Sequence, residues 1–422
     1  MKVLLLNQCF SPDVMATAQQ LTDLAVGLAR EGHNVTVIAS DRGYDDPSRR
    51  FPRRETWNGI KIIRIPSLAL GKETKWRRAT NFASFLFTCS LRLLLLPRFD
   101  VVVALTSPPL ISLLGSMFVR LKGGKFFFWV MDLNPDEAIA AGWLKADSLV
   151  AKLFGRLLRA SLLHAERIIA LDHFMKQRIV AKGVPENRVT VLPPWAHEES
   201  VTFDLQGRET FRRQHNLLDK FVVMYAGNHS PCHPLDTLVE AARTLAGKKE
   251  IAFCFVGGGS EQKKVEDFAR RNGLESISCF PYQPFDILAA SLSAADLHVV
   301  VMGDKFVGIV HPSKLYNILT IGSPFLYIGP KESHISEIAA QSGGRYRVYA
   351  ATHGDVGRVV ACIEEEVRRL PNGGRQVPEI AATFSRKVLL PRLVKLLECQ
   401  PELEGQVSDQ SGQRFNFWRA QQ

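Results

Sequence analysis

Short, unbroken apolar runs recur along the chain, separated by longer amphipathic or polar stretches. The first set lies at 3–6, 35–38, 60–65, 101–105, 126–130 and 167–171. Between the first two, residues 17–30 carry helical apolar spacing and stop at Gly32. A strand buried on both faces is apolar throughout, so these runs predict a parallel sheet with helices packed on either side. The pattern pauses at Leu192-Pro193-Pro194-Trp195, and a charged stretch follows. It then restarts with strands at 221–226, 251–256, 277–280 and 297–302, and with helices at 235–245, 261–272 and 285–294. The expected architecture is α/β, two doubly wound Rossmann-like domains. They occupy 1–197 and 221–383, joined by a linker at 198–220. A C-terminal helix at 384–400 packs back, and a loose tail covers 401–422.

Length and composition fit this reading. A chain of 422 residues is long for one domain, and 46% apolar with 23% charged residues is a globular balance. The opening Met1-Lys2-Val3-Leu4-Leu5-Leu6-Asn7 is too short an apolar stretch for a signal peptide and reads as a first strand. Seven scattered cysteines show no metal-type spacing, which predicts reduced thiols in a cytoplasmic protein.

The net charge is +11, and its placement is uneven. From Arg49 to Arg98 there are twelve Lys or Arg against Glu55 and Glu73. Inside that basic region, residues 82–96 are strongly apolar but shorter than the roughly 20 residues a bilayer span needs. Residues 149–163 are similar, with Lys152, Arg156 and Arg159 on one helical face. Segments of this kind either lie on an anionic membrane surface or pack as core helices with a solvated basic face. The expectation is peripheral attachment to the inner membrane face. No aromatic–basic RNA motif, zinc finger or reading helix is present, so nucleic acid is not expected as a partner.

The richest candidate for chemistry spans Gly308 to Pro324. It contains a turn, a helix start at Pro312-Ser313-Lys314, and a Gly322-Ser323-Pro324 exit into apolar 325–328. Unpaired N–H groups at a helix start, a hydroxyl and a lysine can hold a phosphate. An ordinary loop–helix–strand step has the same spacing. Asp132 and Asp136 follow the 126–130 strand, where one could orient or deprotonate a hydroxyl. Asp136 equally suits a helix N-terminus. His311 is a candidate for phosphate or sugar contact, and Ser107 follows the 101–105 strand. His229 and His233 flank Ser230-Pro231-Cys232, which is too little for a metal site. Asp45-Asp46 reads as a turn pair, so no metal or other cofactor is expected.

Here the chain resembles a family-4 glycosyltransferase of the two-domain GT-B fold, most of all bacterial members that build lipid-linked surface polysaccharide. The resemblance covers about positions 1 to 400. Gln8-Cys9-Phe10-Ser11-Pro12-Asp13 with Ala16-Thr17-Ala18-Gln19 is similar to the acceptor-side loop, implying acceptor roles for Asp13, Thr17 and Gln19 beside Ser107. Gly32-His33-Asn34-Val35-Thr36-Val37-Ile38 resembles the common helix-to-strand step, Asp132-Leu133-Asn134-Pro135-Asp136 the Asp-Leu-Trp-Pro element, and Leu192-Pro193-Pro194-Trp195 the hinge. Tyr225-Ala226-Gly227-Asn228 and Phe255-Val256-Gly257-Gly258-Gly259 are similar to the two donor-domain turns. Pro312-Ser313-Lys314-Leu315-Tyr316 resembles the subgroup's donor helix.

That resemblance implies domains facing across a cleft and a retaining, metal-independent transfer from a nucleotide diphosphate sugar, UDP-sugar favoured, to a lipid-linked or glycan acceptor. Asp132, Asp136 and Lys314 are the catalytic candidates. Gly227, Asn228, His233, Gly257, Gly258, His311, Ser313, Lys314 and Asn317 are the donor-binding ones. The chain also departs from the family. The Glu-x7-Glu pair is replaced by Ile309 and Asn317, and the usual Arg and Lys of the first donor-domain turn by Asn228 and His233. Lys314 and the glycine turn must then carry the phosphates. A non-catalytic nucleotide-sugar or glycan binding subunit, and an epimerase on the same scaffold, remain as alternatives. A nicotinamide dehydrogenase fits poorly, since no GxGxxG follows the 3–6 strand.

Overall fold

The computed structural model describes residues 1–399 except 14, 45, 47, 72–74, 198, 343–345 and 370–374. The tail expected at 401–422 and Asp45 of the expected turn pair therefore lie outside the described residues. The chain forms two compact units. The first comprises 1–194, 308–311 and a C-terminal piece from 389; the second comprises 195–307 and 312–388.

The first unit runs β1 (Lys2–Leu6), α1 (Ala16–Arg30), β2 (Asn34–Ser40), β3 (Arg54–Trp57), β4 (Ile60–Ile65), α2 (Lys75–Leu94) and β5 (Val101–Ala104). It continues with α3 (Ile111–Lys122), β6 (Lys125–Trp129), α4 (Asp136–Ala140), α5 (Leu149–His164), β7 (Arg167–Ala170), α6 (His173–Ala181) and β8 (Val189–Val191). The strand order is β3-β4-β2-β1-β5-β6-β7-β8. Its parallel strands are the apolar runs, with Val3, Leu5, Val103 and Phe127 fully buried. The edge strand β3 is antiparallel to β4, so the sheet is not wholly parallel. Its residues Arg54-Glu55-Thr56-Trp57 are mostly exposed and carry no apolar run, which is why the sequence pattern did not show it.

The second unit begins with α7 (Leu205–Gln214), β9 (Phe221–Asn228), α8 (Asp236–Thr244), β10 (Ile251–Gly258), α9 (Gln262–Arg271), β11 (Ile277–Phe280) and α10 (Leu288–Ser293). Next come β12 (Leu297–Val301), α11 (Lys314–Thr320), β13 (Phe325–Ile328), α12 (His334–Gln341), β14 (Val348–Ala351), α13 (Val356–Arg369) and α14 (Arg386–Leu397). Six parallel strands lie in the order β11-β10-β9-β12-β13-β14. From Leu389 onward, α14 belongs to the first unit: Leu390 lies against Gly27 of α1, and His33 meets Glu398 at 2.8 Å.

Within the expected 198–220 linker, Leu205–Gln214 form helix α7. Asp204 caps α7 by accepting from the Gly207 N–H at 2.8 Å. Phe211 and Leu217 enter the apolar cluster beneath β9 and β10. Asp296, buried at the start of β12, accepts from Arg208 at 2.5 Å, from Arg212, and from the Val222 N–H at 2.8 Å. One carboxylate thus ties α7 to two strands. The stretch is charged because its anchor is ionic.

Candidate functional site

In an open parallel sheet, loops diverge where the strand order reverses, and ligands bind there beyond the carboxyl ends of the strands. The reversal falls between β1 and β5 in the first unit and between β9 and β12 in the second.

In the second unit, one residue before the ends of β9 and β10, two glycines face each other, Gly227 opposite Gly257. Both have strongly positive φ, +131° and +136°. A Cβ on Gly257 would stand 2.0 Å from the Gly227 carbonyl oxygen, so only glycine allows this approach. A Cβ on Gly227 would meet Lys314 Cε at 3.0 Å, so the lysine side chain runs along bare backbone. Its Nζ lies 3.6 Å from the centre of the Tyr225 ring. That Nζ is buried without a hydrogen-bond partner, and among the described residues it has no counter-ion. Burial pushes the ammonium well below the ordinary lysine value of 10.5.

Two histidines share this pocket of positive potential. His229 is held down to about 4 by burial and then by the charge of Lys314. Both its ring nitrogens are buried, beside the Gly227 and Gly258 backbone. His233 is held down to about 3 for the same reasons, and its Nδ1 pairs with the Val301 carbonyl at 2.8 Å. Both rings are therefore neutral near pH 7. The Tyr225 hydroxyl donates to the Asn228 carbonyl at 2.7 Å, and Tyr282 donates to the Gly258 carbonyl at 3.1 Å. The result is one desolvated cation, polarisable rings and a glycine floor, an arrangement suited to an anion.

The helix start reads differently from the sequence expectation. Helix α11 begins at Lys314 itself and is seven residues long. The N–H groups of Leu315 and Tyr316 bond the carbonyls of Pro312 and Ser313, so they are not free for a phosphate. Ser313 makes no side-chain capping bond. The Asn317 side-chain oxygen accepts from the His197 N–H at 3.3 Å.

In the first unit, the loops after β1 and β5 are stitched together. The Gln8 N–H donates to the Ser107 carbonyl at 2.7 Å, and Cys9 Sγ lies 3.9 Å from Ser107 Oγ. Asp13 accepts from the Tyr44 N–H at 3.0 Å. Thr17 Oγ1 is buried with no hydrogen-bond partner, while the Gln19 N–H bonds the Met15 carbonyl at 3.0 Å. Gln8, Ser40, Arg42, Tyr44, Ser67 and Arg78 line a pocket there. Asp46 accepts from the Ser48 N–H and hydroxyl, which makes it a turn residue.

Asp132 follows β6. Loss of solvation, with the Glu137 charge adding to it, raises its carboxyl to about 8. Asp136 is different: both its oxygens accept from Lys182, at 2.7 and 3.0 Å. His311 falls in the segment that packs with the first unit, where its Nδ1 donates to Asp172 at 2.8 Å. In the same segment, the Ile309 carbonyl accepts from the Leu133 N–H at 2.9 Å. The expected 308–324 motif is thus divided after His311.

The donor candidates Lys314, Gly227, Asn228, His233, Gly257 and Gly258 all belong to the second unit. Tyr225 and Tyr282 join them and carry no local sequence signal of a site. An aromatic at the end of an apolar strand reads as core, and only the Lys314 contact distinguishes Tyr225.

Comparison with known proteins supports a glycosyltransferase. Residues 16–195 match the family model described as a glycosyl transferase 4-like domain. The chain is 24% identical to WcaI of Escherichia coli K12, named as a colanic acid biosynthesis glycosyl transferase, over 89% of this chain and 92% of that protein. Among solved structures, a sucrose-phosphate synthase from Thermosynechococcus elongatus superposes with a TM-score of 0.71 at 14% identity, covering 94% of this chain and 99% of that one. HepE of Anabaena, in complex with UDP and glucose, has a TM-score of 0.70 at 14% identity, covering 94% and 100%. Residues 16–195 are thus similar to a glycosyl transferase 4-like domain, and the two doubly wound units have the GT-B fold.

Proposed function

We propose that this protein transfers a sugar from a nucleotide diphosphate sugar, UDP-sugar favoured, to a lipid-linked or glycan acceptor in surface-polysaccharide synthesis. The observation that carries the reading is the Lys314 amine beside Gly227, buried and, among the described residues, without a counter-ion. A leaving nucleotide diphosphate gains negative charge as its bond to the sugar breaks. A fixed cation in a desolvated pocket stabilises that charge more in the transition state than in the ground state.

In this reading Lys314 meets the diphosphate, with Gly227, Asn228, Gly257, Gly258, His233 and Ser313 around it. The sugar carbon exchanges its bond to phosphate oxygen for one to the acceptor oxygen, with retention of configuration. The acceptor proton passes to Asp132 or to the departing phosphate. Asp132 is the base or orienter because its raised pKa suits proton transfer near neutrality. Asp136, held by Lys182, supports α4 instead. Asp13, Thr17, Gln19 and Ser107 are assigned to the acceptor. Lys314 supplies the charge a divalent cation would otherwise bring, so a chelator leaves the rate unchanged. The basic, apolar helices α2 and α5 support a peripheral place on the inner membrane face.

A second reading, a nucleotide-sugar binding subunit without turnover, draws on the absence of acids at Ile309 and Asn317. Thermal shift with UDP, GDP, dTDP, ADP and NAD tests the donor assignment. A ligand at about 100 times its Kd stabilises by roughly 2.7 kcal/mol. A shift with one nucleotide diphosphate and not NAD is expected. No shift with any would overturn the donor assignment, and a shift without turnover of the matching sugar nucleotides would favour the binding subunit.

A further inference from the structure

Beyond the carboxyl ends of β1, β2 and β4, the first unit holds the pocket that Gln8, Arg42 and Arg78 help to line. Gln8 stands at the reversal point of the sheet, its N–H donating to the Ser107 carbonyl beyond β5. It is only 8% exposed, and its side-chain oxygen is buried without a hydrogen-bond partner. A buried acceptor of this kind is unfavourable unless a bound group donates to it. Next to it, Ser40 at the end of β2 and Ser67 just past β4 share a hydrogen bond of 2.8 Å. Ser40 Oγ also accepts from the Arg42 N–H at 3.1 Å, which fixes the loop that carries this arginine.

The facing wall comes from α2. Arg78, Asn81 and Phe82 are three and four residues apart, so they share one helical face. Asn81 accepts from the Leu70 N–H at 3.0 Å and donates to the Gly71 carbonyl at 3.1 Å, which holds the loop after β4 against the helix. The Arg78 guanidinium lies 5.6 Å from the centre of the Trp143 ring. A ring face attracts a cation but occupies none of its N–H donors. Two arginines and, among the described residues, no Asp or Glu line the pocket. Hydroxyl and amide groups near the sheet, cations from the loop after β2 and from α2, and the Phe82 ring between them match a hydroxylated ring that carries a negative group.

We infer that this pocket takes the acceptor and that the acceptor is an anionic sugar, with a hydroxyl donating to Gln8 and the negative group held by Arg42 and Arg78. The inference rests on the sugar-transfer reading above and deepens its acceptor side: charge becomes a condition of recognition, supplied by residues other than Asp13, Thr17, Gln19 and Ser107. The phosphate of a lipid-linked sugar and the carboxylate of an acidic sugar offer the same chemistry to the two arginines.

The test is calorimetric titration of the full chain with glucose 1-phosphate, glucuronate and glucose. At least one anionic sugar should bind, roughly tenfold or more tighter than glucose, and salt should weaken it. Preference for glucose 1-phosphate assigns the charge to a phosphate, and preference for glucuronate assigns it to an acidic sugar. Arg78→Gln should lose roughly tenfold for the anionic sugar and little for glucose, and adding Arg42→Gln should lose more. Gln8→Met should weaken all three ligands by about fivefold without changing the salt response. Equal binding of charged and neutral sugars would overturn the inference, as would unchanged affinity in Arg78→Gln or no binding of either anionic sugar at millimolar concentration. So would binding that Lys314→Met abolishes and Arg78→Gln leaves intact, which assigns the phosphate to the donor pocket. A ligand-free thermal midpoint equal to wild type shows that each variant is folded. The UDP shift is read separately: its presence with failure here strikes the acceptor pocket alone, and its absence strikes the donor assignment.

Discussion

The Lys314 ammonium stands 3.6 Å from the centre of the Tyr225 ring, close enough for the ring's negative face to attract it. A ring is a weak substitute for a carboxylate in a buried place. Burial disfavours the charged amine, and an incoming diphosphate would stabilise it.

Replacing Lys314 separates the roles of that charge. Lys314→Met keeps the length and removes the cation. Transfer should fall by roughly 10²–10³-fold, the loss typical of one preorganised electrostatic group. The thermal midpoint without ligand should hold or rise, since a buried charge lacking a counter-ion is removed. Unchanged turnover would refute the phosphate assignment. A lower midpoint would show that the Tyr225 contact outweighs desolvation.

Acid should weaken the second unit through its buried histidines. His229 and His233 hold folded pKa values of about 4 and about 3, below the ordinary 6.5. As pH falls from 6.5 toward 4, the unfolded chain takes up these protons before the folded one, so stability is lost over that window. Asp132, raised from 3.8 to about 8, acts oppositely: its contribution falls as pH rises through the same range. Urea midpoints in an Asp132→Asn background should therefore be lower at pH 5 than at pH 7. His229→Leu should narrow the gap, and identical midpoints at both values would rule the histidines out.

Asp132 should set the pH dependence of transfer. With the ionised carboxyl as base, kcat/KM should climb through about pH 8 and level off above it. Asp132→Asn should cut the rate by about 10²–10⁴-fold and flatten that limb. Asp136→Asn should change the rate little, because its carboxylate serves Lys182. A profile in Asp132→Asn that matches wild type would assign the limb to another group.

The strongest stability effect is expected at Asp296. Asp296→Asn removes the charge shared by Arg208 and Arg212 and leaves two guanidinium groups poorly compensated. Breaking a buried pair in this way costs about 3–5 kcal/mol. Urea denaturation should show that loss, together with early release of α7 by hydrogen exchange. A change within the range of surface pairs, about 0–1 kcal/mol, would show that apolar packing of Phe211 holds α7 instead.

The sequence by itself determined the central strands and their helical connections. Strands such as β1, β5, β9 and β12 are buried on both faces, and that environment writes an unbroken apolar run into local sequence. It also named Lys314 and the glycines of the β9 and β10 turns, because turns and close backbone approach demand particular residue types. What it could not contain is who meets whom. β3 is a polar edge strand recognisable only by its pairing with β4. Helix α7 looked like a linker because its anchor, Asp296, lies more than eighty residues along the chain from Arg212. His311 and Lys314 are neighbours in sequence, yet the fold commits one to Asp172 and leaves the other beside Tyr225. Tertiary structure alone decided that Lys314 Nζ is buried and, among the described residues, unpaired, and that one side of α2 is exposed. Burial and pairing depend on residues distant in the chain, and a local pattern carries no record of them.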